Sequence, residues 1–144
     1  MLMSAQTSSQ GNPQVDLEKL TSLFKQGAVA KVKVLHVRDS MLTRVAVSKE
    51  ALQANANSTL EFSDHVAEKF GLLLSGVSVK KENHTPDLRW GVVFYNVQGQ
   101  EIGSVFVDKF GHYGDVNDQT VSFEPGTSAS NLAKCLHKIT GIRD

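Results

Sequence analysis

The stretch from residue 89 to residue 110 constrains the fold more than any other, because it repeats an extended apolar pattern on both sides of a short turn. In its first half, one face of a strand carries Trp90, Val92 and Phe94, and the other face carries Val93, Tyr95 and Val97. A strand that is apolar on both faces belongs in the middle of a sheet. Gly99 supplies the positive φ that a tight hairpin needs, so we expect two central strands, at 89–97 and 101–110, paired antiparallel.

Helical periodicity frames this central region at both ends of the chain. Asn12 and Pro13 are typical of a helix start, and Gly27 is typical of its end. A final helix is expected between residues 127 and 141. This order predicts an α+β fold: a single compact domain with a largely antiparallel sheet of about five or six strands, and with the N-terminal and C-terminal helices packed on it.

Shorter elements are expected between these helices. In chain order they are strands at 28–38 and 42–47, a helix capped by Ser48, a loop at 55–58, a helix from Ser63 or Asp64 to Gly71, a strand at 72–79, loops at 80–88 and 111–118, and a strand at 120–123. The run at 72–79 is too short for pattern alone to separate a strand from a buried helix. Residues 1–11 are small and polar, so we predict a disordered tail followed by one domain at 12–144.

The composition is that of an ordinary globular protein with no overall charge. The 144 residues include 15 basic and 15 acidic side chains, so no net charge directs the chain to nucleic acid or membranes. No apolar run approaches the ~20 residues of a membrane span, and the N-terminus lacks the basic start and apolar segment of a secretory signal. The single cysteine, Cys135, excludes an intrachain disulfide. We therefore predict a cytoplasmic protein that does not enter a membrane.

Two expected loops carry the residues with the most chemistry. If the strands around them run antiparallel in succession, the loops at 80–88 and 111–118 emerge at the same end of the sheet. An imidazole beside a carboxylate can act as an acid–base pair or bind a divalent metal, since histidine titrates near neutral pH. Ordinary solvated loops are the alternative interpretation. The candidate catalytic residues are His84, His112, Asp108 and Asp115.

A ligand could also be held at these loops without catalysis. Glycines on both sides of His112 and Tyr113 would let a ligand approach the backbone closely, and Asp87 lies in the other loop. We therefore predict His112, Tyr113 and Asp87 as ligand-binding residues. No histidine or cysteine spacing typical of a metal site occurs, and no phosphate or dinucleotide motif occurs, so we predict no metal and no cofactor.

Charge is uneven along the chain although it sums to zero. Residues 28–49 hold five basic residues and one acidic residue, and residues 82–126 hold seven acidic and two basic ones. A basic patch of Lys31, Lys33 and Arg44 could contact phosphates, or it could coat a solvent face or guard an edge strand. No aromatic side chain is interleaved with these residues to stack on bases, which argues against nucleic acid as a partner.

The absence of a catalytic motif favours a non-catalytic binding or interaction module with a protein or small-molecule partner. The alternative is a small hydrolase or nuclease that uses His84 and His112 with the nearby carboxylates. Self-association as a homodimer is also expected. The first hairpin has Leu35 and Val37 on its outer face beside the lysines, and one of its edges is expected to be open. The basic segment and the acidic loops could complement each other across such an interface.

Overall fold

One antiparallel sheet carries four helices in the part of the chain that the structure describes. This structure, a computed structural model, describes residues 12–37, 46–56, 58–124 and 129–141. The strands are β1 (Lys31–His36), β2 (Ser58–Ser63), β3 (Val79–Lys81), β4 (Leu88–Tyr95), β5 (Glu101–Asp108), β6 (Tyr113–Val116) and β7 (Gln119–Phe123). The helices are α1 (Pro13–Lys25), α2 (Lys49–Asn55), α3 (Asp64–Ser75) and α4 (Ala129–Thr140). The strand order across the sheet is β2-β1-β4-β5-β6-β7-β3, and every neighbouring pair is antiparallel.

The predicted central hairpin is confirmed. Strands β4 and β5 pair antiparallel, and Gly99 in the turn between them has a φ of 81°. Residues 88–94 are all buried, as expected for a strand covered on both faces. The hairpin therefore forms the middle of the sheet, with β1 on one side and β6 on the other.

The first helix is also confirmed. The Asn12 side chain accepts a hydrogen bond from the Gln14 N–H at 2.8 Å, Pro13 occupies the first helical position, and Gly27 follows with a φ of 73°. This cap satisfies one of the amides that a helix start leaves without a partner. The predicted tail, residues 1–11, lies outside the described residues.

The two faces of the sheet are covered differently. On the first face, α1, α3 and α4 bury the larger core, and each of these helices contributes leucine side chains to it. Val92 and Phe94 of β4 belong to the same core. The second face carries α2, whose Leu52 packs into a smaller core with residues that include Val93 and Phe106. Because α2 is short, polar side chains of β5, β6 and β7 remain beside it on this second face. None of the described helices is long and apolar enough to cross a membrane.

The α+β class and the antiparallel sheet are confirmed, but the number of strands and the placement of helices differ from the prediction. The described sheet has seven strands rather than five or six, and the two short internal helices expected from the sequence, α2 and α3, pack on it together with the terminal helices. Two of the strands arise where loops were expected. β6 lies within the expected loop 111–118, and β2 begins at the end of the expected loop 55–58. Turn-forming residues such as Gly114 fit a short strand here because its hydrogen bonds come from β5 and β7.

Helix α3 is longer than predicted, and the strand expected at 72–79 is wrong. The helix continues through Gly71 to Ser75, and only Val79–Lys81 is a strand. Gly71 is needed for packing rather than for ending the helix, since a Cβ atom there would lie 2.7 Å from Cγ of Phe24 in α1. The glycine lets the two helices approach closely, so a residue that usually ends a helix lies inside one.

Strand β1 is not at an edge of the sheet, so the expected open edge is wrong. It pairs with β2 on one side and β4 on the other. Residues 38–45 lie outside the described residues, and the last two residues of the expected strand 42–47 are not in a strand. Leu35 and Val37 are only 4% and 3% exposed, because α2 covers them. The open edge and the exposed apolar face, on which the expected dimer at this hairpin was based, are therefore not found at β1. The dimer stays a prediction.

The connection from β3 to β4 crosses the sheet, contrary to the expected antiparallel succession of strands. Strands β7, β6 and β5 lie between them, and four antiparallel steps make β3 parallel to β4. The connecting residues 82–87, here called the strap, pass over the second face. The ring of His84 in the strap packs against the ring of Tyr113 in β6, with centroids 4.3 Å apart and the planes tilted by 36°. The strap and α2 thus stand side by side on the same face of the sheet.

Candidate ligand-binding site

A cleft of about 430 Å³ opens between α2 and the strap. Its size lies within the roughly 300–1,000 Å³ typical of small-molecule sites. Helix α2 forms one wall, the strap forms the other, and strands β6 and β7 form the floor. The lining residues are Ser48, Lys49, Glu50, Thr85, Pro86, Leu88, Asp115, Asp118 and Thr120. We call this space the binding cleft.

Lys49 is the residue that organises the binding cleft. Ser48 caps α2 by accepting a hydrogen bond from the Ala51 N–H at 3.1 Å, which starts the helix with Lys49 directed at the sheet. The Lys49 ammonium donates to Ser104 Oγ at 3.1 Å and to Asp118 Oδ1 at 2.5 Å. It also lies 3.7 Å from Asp115 Oδ1, and the Lys49 side chain is only 12% exposed. The ammonium is thus held by three oxygens and is largely withdrawn from solvent.

Asp115 carries a carboxylate that the fold buries beside this ammonium. Its side chain is 14% exposed. Burial raises the pKa of the Asp115 carboxyl above the ordinary value of 3.8, and the charge of Asp118 also raises it, whereas Lys49 and the Asp118 N–H lower it. The net direction is upward, so the charged form of Asp115 is incompletely compensated by Lys49.

The turn between β6 and β7 holds the carboxylates in place. Asn117 and Asp118 have φ values of 48° and 70°, which make a tight turn of the kind that asparagine and aspartate tolerate. The Asp118 N–H donates to Asp115 Oδ1 at 2.9 Å, and the Ser104 N–H donates to Asn117 Oδ1 at 2.9 Å. The Lys49 side chain of α2 therefore meets three side chains of the sheet and its turn in a defined geometry, those of Ser104, Asp115 and Asp118.

The binding cleft presents more hydrogen-bond acceptors than donors. Its lining has the three carboxylates of Glu50, Asp115 and Asp118 against the one ammonium of Lys49. The hydroxyl groups of Ser48, Thr85 and Thr120 can act either way. Among the described residues, no group of three or more histidine, cysteine, aspartate or glutamate side chains is arranged to hold a metal ion. The excess of acceptors in the cleft is complementary to hydrogen-bond donor groups.

Asp87, predicted to bind a ligand, ties the strap to the segment before α2. Its Oδ1 accepts a hydrogen bond from the Val47 N–H at 2.7 Å, and its Oδ2 accepts one from Arg89 Nη2 at 2.8 Å. Arg89 is only 6% exposed, whereas the Asp87 side chain is 45% exposed, so the pair joins the interior to the surface. Both carboxylate oxygens are already bonded within the fold, and Asp87 helps to set the distance between the walls of the cleft.

Asp108, a candidate catalytic residue, holds the turn between β5 and β6. Its carboxylate accepts hydrogen bonds from the N–H groups of Phe110, His112 and Tyr113, at 3.1, 2.9 and 3.2 Å. The His112 ring lies against Phe110, with centroids 5.9 Å apart. These contacts are those of a rigid turn.

The predicted site residues fall into separate groups in the structure. His84 pairs with Tyr113, His112 pairs with Phe110, and Asp115 lies in the binding cleft with Lys49. The expected meeting of the two loops does occur at His84 and Tyr113, but it results from the strap crossing the sheet. Nothing in these contacts tests the catalytic roles, which stay predictions.

Two of the three residues of the predicted basic patch, Lys31 and Lys33, lie in β1. Lys31 lies 3.8 Å from the Glu61 carboxylate of β2, and its ammonium lies 4.8 Å from the centroid of the Tyr95 ring. Lys33 lies two residues further along β1, on the same face of the sheet. Arg44 lies outside the described residues. The positive charge of Lys31 is thus partly balanced by a neighbouring strand.

The sequence analysis missed Lys49 and Ser104. One signal could have drawn attention to Lys49: a cation in the first turn of a helix is disfavoured by the helix dipole, so its presence indicates a carboxylate partner elsewhere. Ser104 gives no such signal, because a serine in a strand is unremarkable until its neighbour across the face is known.

Comparisons of the chain with known protein families, with curated proteins and with solved structures found no match. The binding cleft and its chemistry are therefore the basis for assigning a function.

Proposed function

We propose that this protein is a non-catalytic binding module that holds a small polar ligand in the binding cleft. The observation that carries this proposal is that the Lys49 ammonium already has hydrogen-bond partners within the protein. The ammonium is already bonded to Ser104 and Asp118 and lies beside Asp115, so it has little capacity left for an anionic ligand. The remaining groups are acceptors with an excess of negative charge. A ligand with an amine or guanidinium group on an aliphatic stem fits them, with the stem against Pro86 and Leu88.

A non-catalytic role is supported by how the other carboxylates are used. Asp87 and Asp108 accept hydrogen bonds from backbone N–H groups and an arginine within the fold. A general acid or base must reach the reacting group of a substrate, and these two are already engaged. The alternative, a small hydrolase or nuclease built on His84 and His112, is favoured by no contact among the described residues.

We also propose that the protein forms a homodimer in which strand β2 of one copy pairs with β2 of the other. In the described part of the sheet, β2 and β3 are the outer strands. β3 is three residues long, and its Val79 N–H donates to Gln14 Oε1 of α1 at 2.8 Å. β2 is six residues long, which makes it the longer template for strand pairing. This replaces the hairpin edge proposed from the sequence.

Nuclear magnetic resonance titration of the ¹⁵N-labelled protein tests ligand binding. The probes are 1,4-diaminobutane, inorganic phosphate and glucose at matched ionic strength. We expect the diamine to shift amides at residues 48–50, 85, 87–88 and 115–120, and phosphate to leave them unchanged. Asp118→Asn should weaken the response, whereas Glu61→Gln, a matched change of an exposed acid outside the cleft, should not.

Two outcomes would count against the proposal in different ways. If none of the three probes shifts the cleft amides, the cleft does not bind small polar ligands and the module has to be sought elsewhere. If phosphate or glucose shifts them and the diamine does not, the cleft binds a ligand but the preference for a cation is wrong.

A further inference from the structure

The strap makes an unusually short crossing of the sheet. Connections between parallel strands usually need a dozen or more residues, and here residues 82–87 suffice. Strands β3 and β4 are four strand positions apart, a distance of about 19 Å at ordinary spacing. Glu82 and Leu88 are both hydrogen-bonded to the rest of the fold, and the six residue steps between them can reach about 20–22 Å when extended. The strap is thus close to straight, with about 1–3 Å of slack.

Both ends of the strap are fastened by hydrogen bonds. At one end the Glu82 N–H donates to the Thr120 carbonyl at 2.9 Å. At the other end Asp87 accepts from the Val47 N–H and from Arg89, and the Leu88 N–H donates to the Val47 carbonyl at 2.9 Å. The Glu82 bond extends the pairing of β3 with β7, and the bonds of Asp87 and Leu88 tie the start of β4 to Val47 and Arg89, so both ends are fixed within the fold.

The middle of the strap is held more lightly. Residues 83–85 are exposed, and the His84 ring packs against the ring of Tyr113 on the sheet. Pro86 is buried at the cleft and adds an apolar contact near the fastened end. With about 1–3 Å of slack between fixed ends about 19 Å apart, the middle can move by about 3–5 Å without breaking the end bonds.

We infer that the strap opens and closes over the binding cleft, and that the ring contact of His84 with Tyr113 stabilises the closed position. Thr85 lies in the middle of the strap and forms part of one wall of the cleft, so raising it widens the mouth of the cleft above Thr120 and Asp115 on its floor. The value of this motion for ligand entry rests on the proposed function. The motion itself is measured without a ligand, so either proposal can fail while the other stands.

The test uses a single thiol beneath the strap. Thr120→Cys is introduced in a Cys135→Ser background, and the rate of its reaction with a bulky maleimide is measured. Adding His84→Ala removes the ring contact. An aromatic pair is worth enough to change an opening equilibrium by roughly 2- to 10-fold, so we expect the labelling rate to rise by a factor in that range.

Two further variants identify the cause of any change. His84→Phe keeps an aromatic ring on Tyr113 and should return the labelling rate to that of the parent. His112→Ala removes an exposed histidine whose ring lies on Phe110 outside the strap, and should leave the rate unchanged. Circular dichroism confirms that each variant is folded.

The proposed opening of the strap is contradicted if His84→Ala labels no faster than the parent, or if His112→Ala labels as fast as His84→Ala. If the cysteine background does not fold, relaxation dispersion of the strap amides in the wild type and in His84→Ala replaces the labelling. Flat profiles at residues 83–85 in both proteins then contradict the proposed opening.

Discussion

Lys49 at the start of α2 donates a hydrogen bond to Ser104 of β5, 3.1 Å away, and so ties the short helix to the middle of the sheet. The same ammonium lies 5.2 Å from the centroid of the Phe106 ring, which belongs to the smaller core. The polar network of the binding cleft and the apolar packing of α2 are therefore joined through one side chain. Changes at Lys49 should affect both.

The first prediction is that Lys49→Met destabilises the protein by about 2 kcal/mol, because it leaves the buried Asp115 carboxylate without its cation. Lys31→Met is the matched control, since the Lys31 side chain is 41% exposed and its pair with Glu61 should be worth less than about 1 kcal/mol. Urea unfolding measures both values. Equal losses in the two variants would show that burial of the Lys49 pair adds nothing.

The second prediction concerns the pH dependence of stability through Asp115. Its folded-state pKa is raised above 3.8, so the folded protein holds this proton more tightly than the unfolded chain does. The free energy of unfolding that this group contributes is therefore full below pH ~3.8 and is lost as pH rises through the folded-state pKa.

Asp115→Asn should remove this dependence. Urea unfolding of the wild type and the variant between pH 3.5 and about 6 measures the effect. The unfolding free energy of the wild type minus that of the variant should fall as pH rises. A difference that grows with pH would mean that the carboxylate is stabilised in its charged form and that its burial is outweighed.

The third prediction is that both cores are needed for folding. Phe94 lies in the larger core and Phe106 in the smaller one, and both are 0% exposed. Either change to alanine should cost about 3–5 kcal/mol, a large share of a total of roughly 5–15 kcal/mol. Val97→Ala in the same hairpin changes a residue that is 76% exposed and should stay within about 0.5 kcal/mol. Thermal midpoints of Phe94→Ala and Phe106→Ala that match the wild type would contradict this account of the cores.

The fourth prediction is that the protein forms a two-fold dimer at micromolar concentration. Sedimentation equilibrium in low and high salt should give about twice the monomer mass of 15.7 kDa in both buffers, because backbone pairing at β2 is little screened. A mass that falls to that of the monomer in high salt would assign the association to charges rather than to strand pairing. A monomer in both buffers would rule out the dimer.

The sequence by itself determined the elements whose signals are local. The cap at Asn12, the turn at Gly99 and the two-faced apolar strand at 88–94 each depend on neighbouring residues, and all three are present in the structure. Side-chain periodicity and turn chemistry act over a few residues, so they can be read without knowing the rest of the fold.

Tertiary structure alone decided which strands are neighbours and what meets on the second face. The close approach to Phe24 kept Gly71 inside a helix, and pairing with β1 made a strand of Ser58–Ser63. The short crossing of residues 82–87 brought His84 onto Tyr113, and the capped start of α2 brought Lys49 to Ser104. These contacts join residues far apart in the chain, and periodicity carries no information about register or strand order. The binding cleft therefore exists only once the sheet has assembled.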